Sequence, residues 1–394
     1  MNIPNFKLNF FTFLLPLTVF TKEVGAIMVG GIELDLIAYP FYVFSFFYFL
    51  LLKRFNINIS EILLFSVLLV IGVLNSIAFD LPLILFFKQF VPILIIFFAC
   101  KNILINYGIN GVFLFYTKLA YFAAIFGLLQ FFIKLFFGIL ILTPYHALFL
   151  DSIAKEPSHY VAIVLPALVY LIEKRDFNLK FYVILLSLIL TFKITFFFSL
   201  GIYFLLRNIK RIKYIVLLAP FVLLTLYYII INNLDFYERI DGMIAYLNSR
   251  DLHDIENLTV FSFATNLELA ISNFIRTFGF GVGLGGHETM YKYYFSLSEW
   301  DMYYMGINSN SAHSLTIRVI SEMGIIGILI YFNLIKGTLK MKNFNFQIIS
   351  FAALSHFIVK SIKLGGYLDY GTIFFLVIIV LLIQNDKKDR NLYI

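Results

Sequence analysis

The sequence predicts an all-α polytopic membrane protein, with about twelve transmembrane helices and one large extracytoplasmic loop. Three observations predict it. First, 61% of the 394 residues are hydrophobic and only 13% are charged, more apolar surface than a soluble domain can bury. Second, the apolar residues fall in runs of roughly span length (~20 residues) separated by charges. Third, the charges are sorted by sign along the chain, as they are when loops alternate between two sides of a membrane.

The runs place helices at 8–21, 35–52, 61–79, 82–100, 111–133, 159–172, 180–192, 194–206, 214–232, 315–335, 346–360 and 371–384. The first follows Lys7 and has the character of a signal-peptide h-region. Without a small-x-small cleavage site after it, it reads as an uncleaved span. The pair around "LTFKITFFFSL" reads as two helices or as one broken helix. A domain division follows: 1–232 carries nine spans with a short external loop near 134–158, 233–312 is the large external loop, and 313–394 carries three more spans.

Five connections carry clustered Lys or Arg: "KRFN" (53–56), "EKRDFNLK" (173–180), "RNIKRIK" (207–213), "KGTLKMK" (336–342) and "DKKDR" (386–390). With twelve spans all five fall on one side, which the positive-inside rule assigns to the cytoplasm together with both termini. Segment 233–312 holds ten of the 23 acidic residues but four of the 30 Lys and Arg, a net −6 against +13 for the rest. That suits an external cap, with amphipathic helices in "NLTVFSFATNLELAISNFIRTF". The total of +7 reflects cytoplasmic basic residues and does not indicate nucleic-acid binding. Cys100 is the sole cysteine, so no internal disulfide forms, and no Cys/His metal motif exists.

Ionisable residues are expensive within a membrane and mark cavities or partners. Four groups stand out at the external ends of spans. In "SAHSLTIRVISEMGIIGILIYF", Ser314, Arg318 and Glu322 share one helix face and His313 sits at its start. Gly324 and Gly327 then permit close packing. Ser311 or Ser314 also reads as a simple helix cap, and Arg318–Glu322 as a structural pair. In "AKEPSHYVAIVLP", Pro157 fits a helix first turn, and Glu156 is either an anion at a helix N-terminus or a functional carboxylate. Lys88, Lys118, Lys134 and Lys193 are cations in or near spans, which either snorkel to the interface or line a cavity for a phosphate-bearing substrate. The external segment holds Arg239, Arg250, Arg276 and the run "FGFGVGLGGHE", whose glycines can bring backbone N–H groups to an anion.

The order "FGFGVGLGGH", then "AHSLTIRVISEMGIIGILIYF", resembles the C-terminal signature of the O-antigen polymerase and O-antigen ligase family. That pattern is a Gly-rich segment, then His with Asn or Ser and an apolar residue, then Glu-x-Gly-x-x-Gly in a membrane helix. Here it falls on His313, Ser314, Leu315, Glu322, Gly324 and Gly327, with Ser314 in place of the commoner Asn. "EPSHYVA" is similar to a segment of the family's polysaccharide polymerases, and Lys193 stands where the family has Ser-Arg.

The resemblance implies a fold like the C-type membrane glycosyltransferases and a bacterial cytoplasmic (inner) membrane location. It implies a metal-independent reaction with no cofactor, in which an undecaprenyl-pyrophosphate-linked oligosaccharide is donor and a second lipid-linked unit is acceptor. A chain-length regulator protein is a further partner of such an enzyme. Lys88, Lys193, Arg239, Arg276 and Arg318 would bind pyrophosphate or sugar, His313 would be the general base and Glu156 would orient the acceptor. Glu322, Ser314, Gly324 and Gly327 would support them. A ligase transferring polymer to lipid A core shares these features. A lipid-linked oligosaccharide flippase would need no external loop of about 80 residues. A non-catalytic assembly protein is the remaining class.

Overall fold

The computed structural model describes residues 10–29, 32–139, 149–154, 156–209, 234–249, 251–252, 255, 257–295 and 306–391. The expected span at 214–232 and the candidate Arg250 lie outside them, as do parts of the two expected external loops. The fold is helical apart from one short antiparallel pair, β1 (Ala26–Val29) with β2 (Ile32–Asp35).

The helices in chain order are α1 (Phe10–Leu17), α2 (Lys22–Gly25), α3 (Ala38–Leu51), α4 (Ile59–Ala78), α5 (Leu83–Tyr107), α6 (Ile109–Phe137), α7 (Pro157–Lys174), α8 (Leu179–Ile189) and α9 (Ile194–Arg207). They continue with α10 (Leu234–Ser249), α11 (Leu258–Arg276), α12 (His287–Tyr294), α13 (Leu315–Lys340), α14 (Phe344–Ile362) and α15 (Thr372–Asn391). Five of them, α4, α5, α6, α11 and α13, are long and apolar enough to cross a membrane. Their surfaces leave large apolar side chains uncovered, among them Leu63, Leu74, Phe122 and Phe136. That surface needs lipid, and the chain is a membrane-embedded helical protein.

Helix α5 extends beyond its apolar run for a physical reason. The run that ends at Cys100 continues as helix to Tyr107, because the buried Lys101 ammonium is neutralised by Glu61 of α4. The "LTFKITFFFSL" region is two short helices, α8 of 11 residues and α9 of 14, with Phe192 left-handed (φ 47°) between them. At ~1.5 Å per residue neither reaches the ~30 Å of a hydrocarbon core.

The described residues form two compact units. One comprises 1–66, 89–200 and 331–394, the other 67–88 and 201–330. In the first, α7 packs against α6, α8 and α14, and α14 against α15. Three polar side chains inside this bundle are satisfied across helices, in keeping with an apolar medium. Tyr116 donates to the Ile163 carbonyl (2.6 Å), Tyr160 to Ser187 Oγ (2.7 Å) and His356 Nδ1 to the Ala162 carbonyl (2.8 Å). Asn178 and Asn343 cap α8 and α14 by accepting from backbone N–H groups.

In the second unit, α11 packs against α10 and α12 around Phe261, Ala264, Leu269 and Met290. The glycine-rich segment then docks along α13 backbone to backbone. Val282 N donates to Ser321 O (2.9 Å), Gly283 N to Glu322 O (2.9 Å) and Ile325 N to Gly279 O (2.7 Å). Helix α13 opens to receive it at Gly324, whose φ of 57° and ψ of −135° are non-helical. A Cβ on Gly324 would lie 2.0 Å from the Gly279 carbonyl oxygen, and one on Gly281 2.6 Å from the Glu322 backbone. Close packing at Gly327 is instead within α13, where a Cβ would meet Val319 at 2.2 Å. Gly324→Ala should therefore cost several kcal/mol through clash and strain, read as a large loss of melting temperature in detergent. Gly201→Ala in α9, with open space around it, should leave the melting temperature unchanged or raised.

Candidate functional site

Two polar constellations stand out among the described residues, one in each unit. The first surrounds the start of α13. Ala312 (φ 52°) and His313 (φ 59°) are consecutive left-handed residues without the freedom of glycine. Such backbone costs of order 1–3 kcal/mol per residue and persists only where the surroundings enforce it. Here His313 N donates to the Asn308 carbonyl (3.3 Å) and Nδ1 bonds Ser262 Oγ of α11 (3.1 Å). Ser262 Oγ also accepts from Asn308 Nδ2 (2.9 Å). When Ser262 spends its own hydrogen on the Ile307 carbonyl (3.2 Å), Nδ1 of His313 is the donor. The lone pair then lies on Nε2, the tautomer a base needs.

Ser314 follows as a helix cap, its Oγ accepting from Ile317 N at 3.3 Å. One turn on, Arg318 Nε meets Glu322 Oε2 at 3.3 Å, both side chains buried. Glu322 Oε1 also faces His287 N at 3.4 Å. The structure thus brings His313, Ser314, Arg318 and Glu322 onto one helix start and gives Arg318 a carboxylate partner.

His287, inside the Gly-rich motif, carries more of this network than the sequence indicates. It is 1% exposed. Its Nε2 bonds Asn266 Oδ1 (2.9 Å) and its Nδ1 bonds Ser321 Oγ (2.7 Å). Asn266 Nδ2 donates to the carbonyls of Ser262 (2.6 Å) and Ile307 (3.2 Å), so its oxygen faces the ring and Nε2 carries the hydrogen. Both ring nitrogens are therefore spent, and the imidazole is neutral. Burial pushes its pKa down to about 3, and the nearby Arg318 charge adds to this. The glycine run itself spends its N–H groups internally: Gly281 N donates to Thr277 Oγ1 (2.8 Å), and Val282 and Gly283 bond α13.

The second constellation lies in the other unit, around Glu156. Glu156 occupies the N-cap position of α7 ahead of Pro157, but its side chain makes no capping bond. Its Oε2 accepts from Lys363 Nζ (3.0 Å) and Ser158 Oγ (3.2 Å) and lies 3.8 Å from His159 Nε2. Burial raises the Glu156 pKa, but the Lys363 charge, the neighbouring His159 and these hydrogen bonds outweigh it, leaving the carboxyl below its ordinary value. Behind it, His159 Nδ1 bonds Glu23 Oε1 (2.8 Å), and Tyr370 OH contacts both Glu23 Oε1 and His159 Nδ1. Lys22 pairs with Asp369 at 2.9 Å beside them.

The remaining candidate cations occupy separate surroundings. Lys193 Nζ lies over the Phe149 ring at 4.5 Å and Arg276 over Tyr294 at 5.4 Å. Lys88 is half-buried in α5, and Arg239 half-buried in α10. Among the described residues no three His, Cys, Asp or Glu side chains converge as a metal ion would need.

The residues missed in the sequence divide by their signal. His159 stands three positions after Glu156 inside a quoted motif, so it was within reach. Glu23 and Tyr370 lie 136 and 211 positions from His159 and carry no local signal. Ser262, Asn266 and Ser321 read as ordinary helix residues.

His287 yields a pH test. Its folded pKa is below its unfolded value of ~6.5, so the unfolded state binds more protons between about 3 and ~6.5. Its contribution to stability is complete above ~6.5 and falls as pH drops through that window. His287→Gln should be less stable at neutral pH, and its melting temperature should fall less than wild type's between pH 7 and pH 4.

No family model matches this chain, and neither a curated protein nor a solved structure does.

Proposed function

We propose that the protein is a polysaccharide polymerase. It joins undecaprenyl-pyrophosphate-linked repeat units into O-antigen, capsular or exopolysaccharide chains at the outer face of a bacterial cytoplasmic membrane. The observation that carries this reading is the start of α13. There a left-handed His313 is held through Ser262 and is followed by the buried Arg318–Glu322 pair. A membrane-embedded protein maintains such a cluster against the cost of burying ionisable groups only where it serves a purpose. The order of motifs around it resembles the polymerase family.

In this reading the basic connections and both termini lie in the cytoplasm and 233–312 outside. The acceptor hydroxyl oxygen attacks the anomeric carbon of the donor glycan. The bond from that carbon to the pyrophosphate oxygen breaks, and undecaprenyl pyrophosphate departs with the electron pair. His313 Nε2 takes the hydroxyl proton. Lys88, Arg239, Arg276 and Arg318 supply the cations that a pyrophosphate leaving group requires. Ligase activity is the alternative outcome, distinguished by whether the acceptor is another lipid-linked unit or a lipid A core sugar.

Reporter fusions test the topology: Asn257 should report outside and Lys340 the cytoplasm. A cytoplasmic Asn257 would remove the proposed site from its substrate. Purified protein with a defined lipid-linked repeat tests the base. His313→Gln keeps some hydrogen bonding but cannot accept the proton, so turnover should fall ~10²–10⁴-fold with little change in donor affinity. Wild-type turnover would make His313 a structural residue.

A further inference from the structure

The Glu156 constellation is organised differently from the other buried ion pairs of the chain. Lys101–Glu61 is sealed, at 1% and 7% side-chain exposure. Around His159 exposure instead rises in one direction: Glu23 is 7% exposed, His159 16%, Lys363 36% and Glu156 46%. The buried end is rigid. Glu23 and Tyr370 fix His159 Nδ1, and with Nδ1–H donating to the carboxylate, the Nε2 lone pair points away from Glu23. The open end is unsaturated. His159 Nε2 and Glu156 Oε2 are 3.8 Å apart, too far to bond each other. Both are acceptors, so each can take a hydrogen from its own donor.

Two neighbouring hydroxyls fit this edge. One donates its hydrogen to His159 Nε2 and the other to Glu156 Oε2, and either can accept from the Lys363 ammonium. A bare anion is disfavoured by Glu156 and Glu23, and a bare cation by Lys363 and Lys22. A small cavity lined by Lys22, Tyr39, Tyr42, Leu368 and Tyr370 adjoins the cluster and presents aromatic surface beside it.

We propose that Glu156 and His159, backed by Glu23 and Tyr370, form a carbohydrate subsite in which the pair accepts hydrogens from two neighbouring hydroxyls of a neutral sugar ring. Its assignment to the acceptor glycan rests on the polymerase reading; the sugar-binding claim does not. Glu23 and Tyr370 are positioning residues, holding the imidazole in the tautomer and orientation its hydroxyl requires.

The test is saturation-transfer NMR on the full chain in lipid nanodiscs. The probes are the methyl glycosides of glucose, galactose, N-acetylglucosamine and rhamnose. At least one should receive saturation from the wild type. Its dissociation constant should rise tenfold or more in Glu156→Gln and in His159→Ala, and stay unchanged in Gly201→Ala. Should His159→Ala fail to fold, Glu156→Gln at its half-exposed position carries the test alone, and Tyr370→Phe should weaken the same glycoside. Transfer to none of the four, or equal binding in wild type and Glu156→Gln, overturns the subsite. Glycoside binding without turnover of lipid-linked repeats would keep the subsite and remove the polymerase reading; turnover without glycoside binding would do the reverse.

Discussion

The interaction on which the second unit depends is the docking of a glycine backbone onto an opened helix. Segment 279–283 hydrogen-bonds to Ser321, Glu322 and Ile325 of α13, which is possible only because α13 abandons helical geometry at Gly324. Opening a helix in an apolar setting frees carbonyls that would otherwise go unsatisfied. The glycine segment satisfies them, at 2.9 Å for both Ser321 O and Glu322 O. It also carries His287 to the same turn, where the ring bonds Ser321 and the backbone N–H faces Glu322. The kink, the glycine run and the neutral histidine are thus one device, and Arg318, Glu322 and His313 are placed by it.

This changes how the motif residues are understood. Read as a sequence, the glycines can cradle an anion; in the structure the N–H groups of Gly279, Gly281, Gly283 and Gly286 are spent on protein oxygens. Their spacing answers a steric requirement, since a Cβ at Gly281 or Gly324 would enter the facing backbone. The histidine ending the run is likewise saturated at both nitrogens and builds the turn, and His313 is fixed beside it through Ser262 by Nδ1.

Much of the helical layout was legible because an apolar run is a local signal. The 315–335 run and helix α13 begin at the same residue, and 346–360 lies within α14. Legibility stopped where neutralisation came from far away in the chain. Lys101 reads as the end of a span, yet Glu61, 40 positions earlier, allows the helix to continue. Asp386 reads as part of a basic tail, yet its Oδ1 accepts from the N–H groups of Lys342 and Asn343 and fixes the connection between α13 and α14. The candidate site divides the same way. His313, Arg318 and Glu322 lie on one helix start and were visible together. The partners that orient His159 come from α2 and from the start of α15, and only the fold brings them to α7.

The contrast between sealed and open ion clusters is what separates support from chemistry in a protein with so many buried charges. Lys360 donates to Thr372 Oγ1 (2.6 Å) and to the Gly366 carbonyl, and is fully buried. Like Lys101–Glu61, it holds chain segments together and presents nothing to a ligand. A buried group that is fully partnered has no remaining capacity for a substrate, because each new hydrogen bond would have to displace an existing one. Chemistry therefore requires a group fixed on one side and open on the other. His159 meets that condition: Glu23 and Tyr370 hold Nδ1, while the facing Glu156 oxygen stands 3.8 Å from Nε2, beyond bonding distance. Glu156 meets it too, since its side chain leaves the α7 N-terminus uncapped in order to reach Lys363. The helix forgoes a stabilising cap of ~1 kcal/mol there, which places the carboxylate beside the imidazole instead.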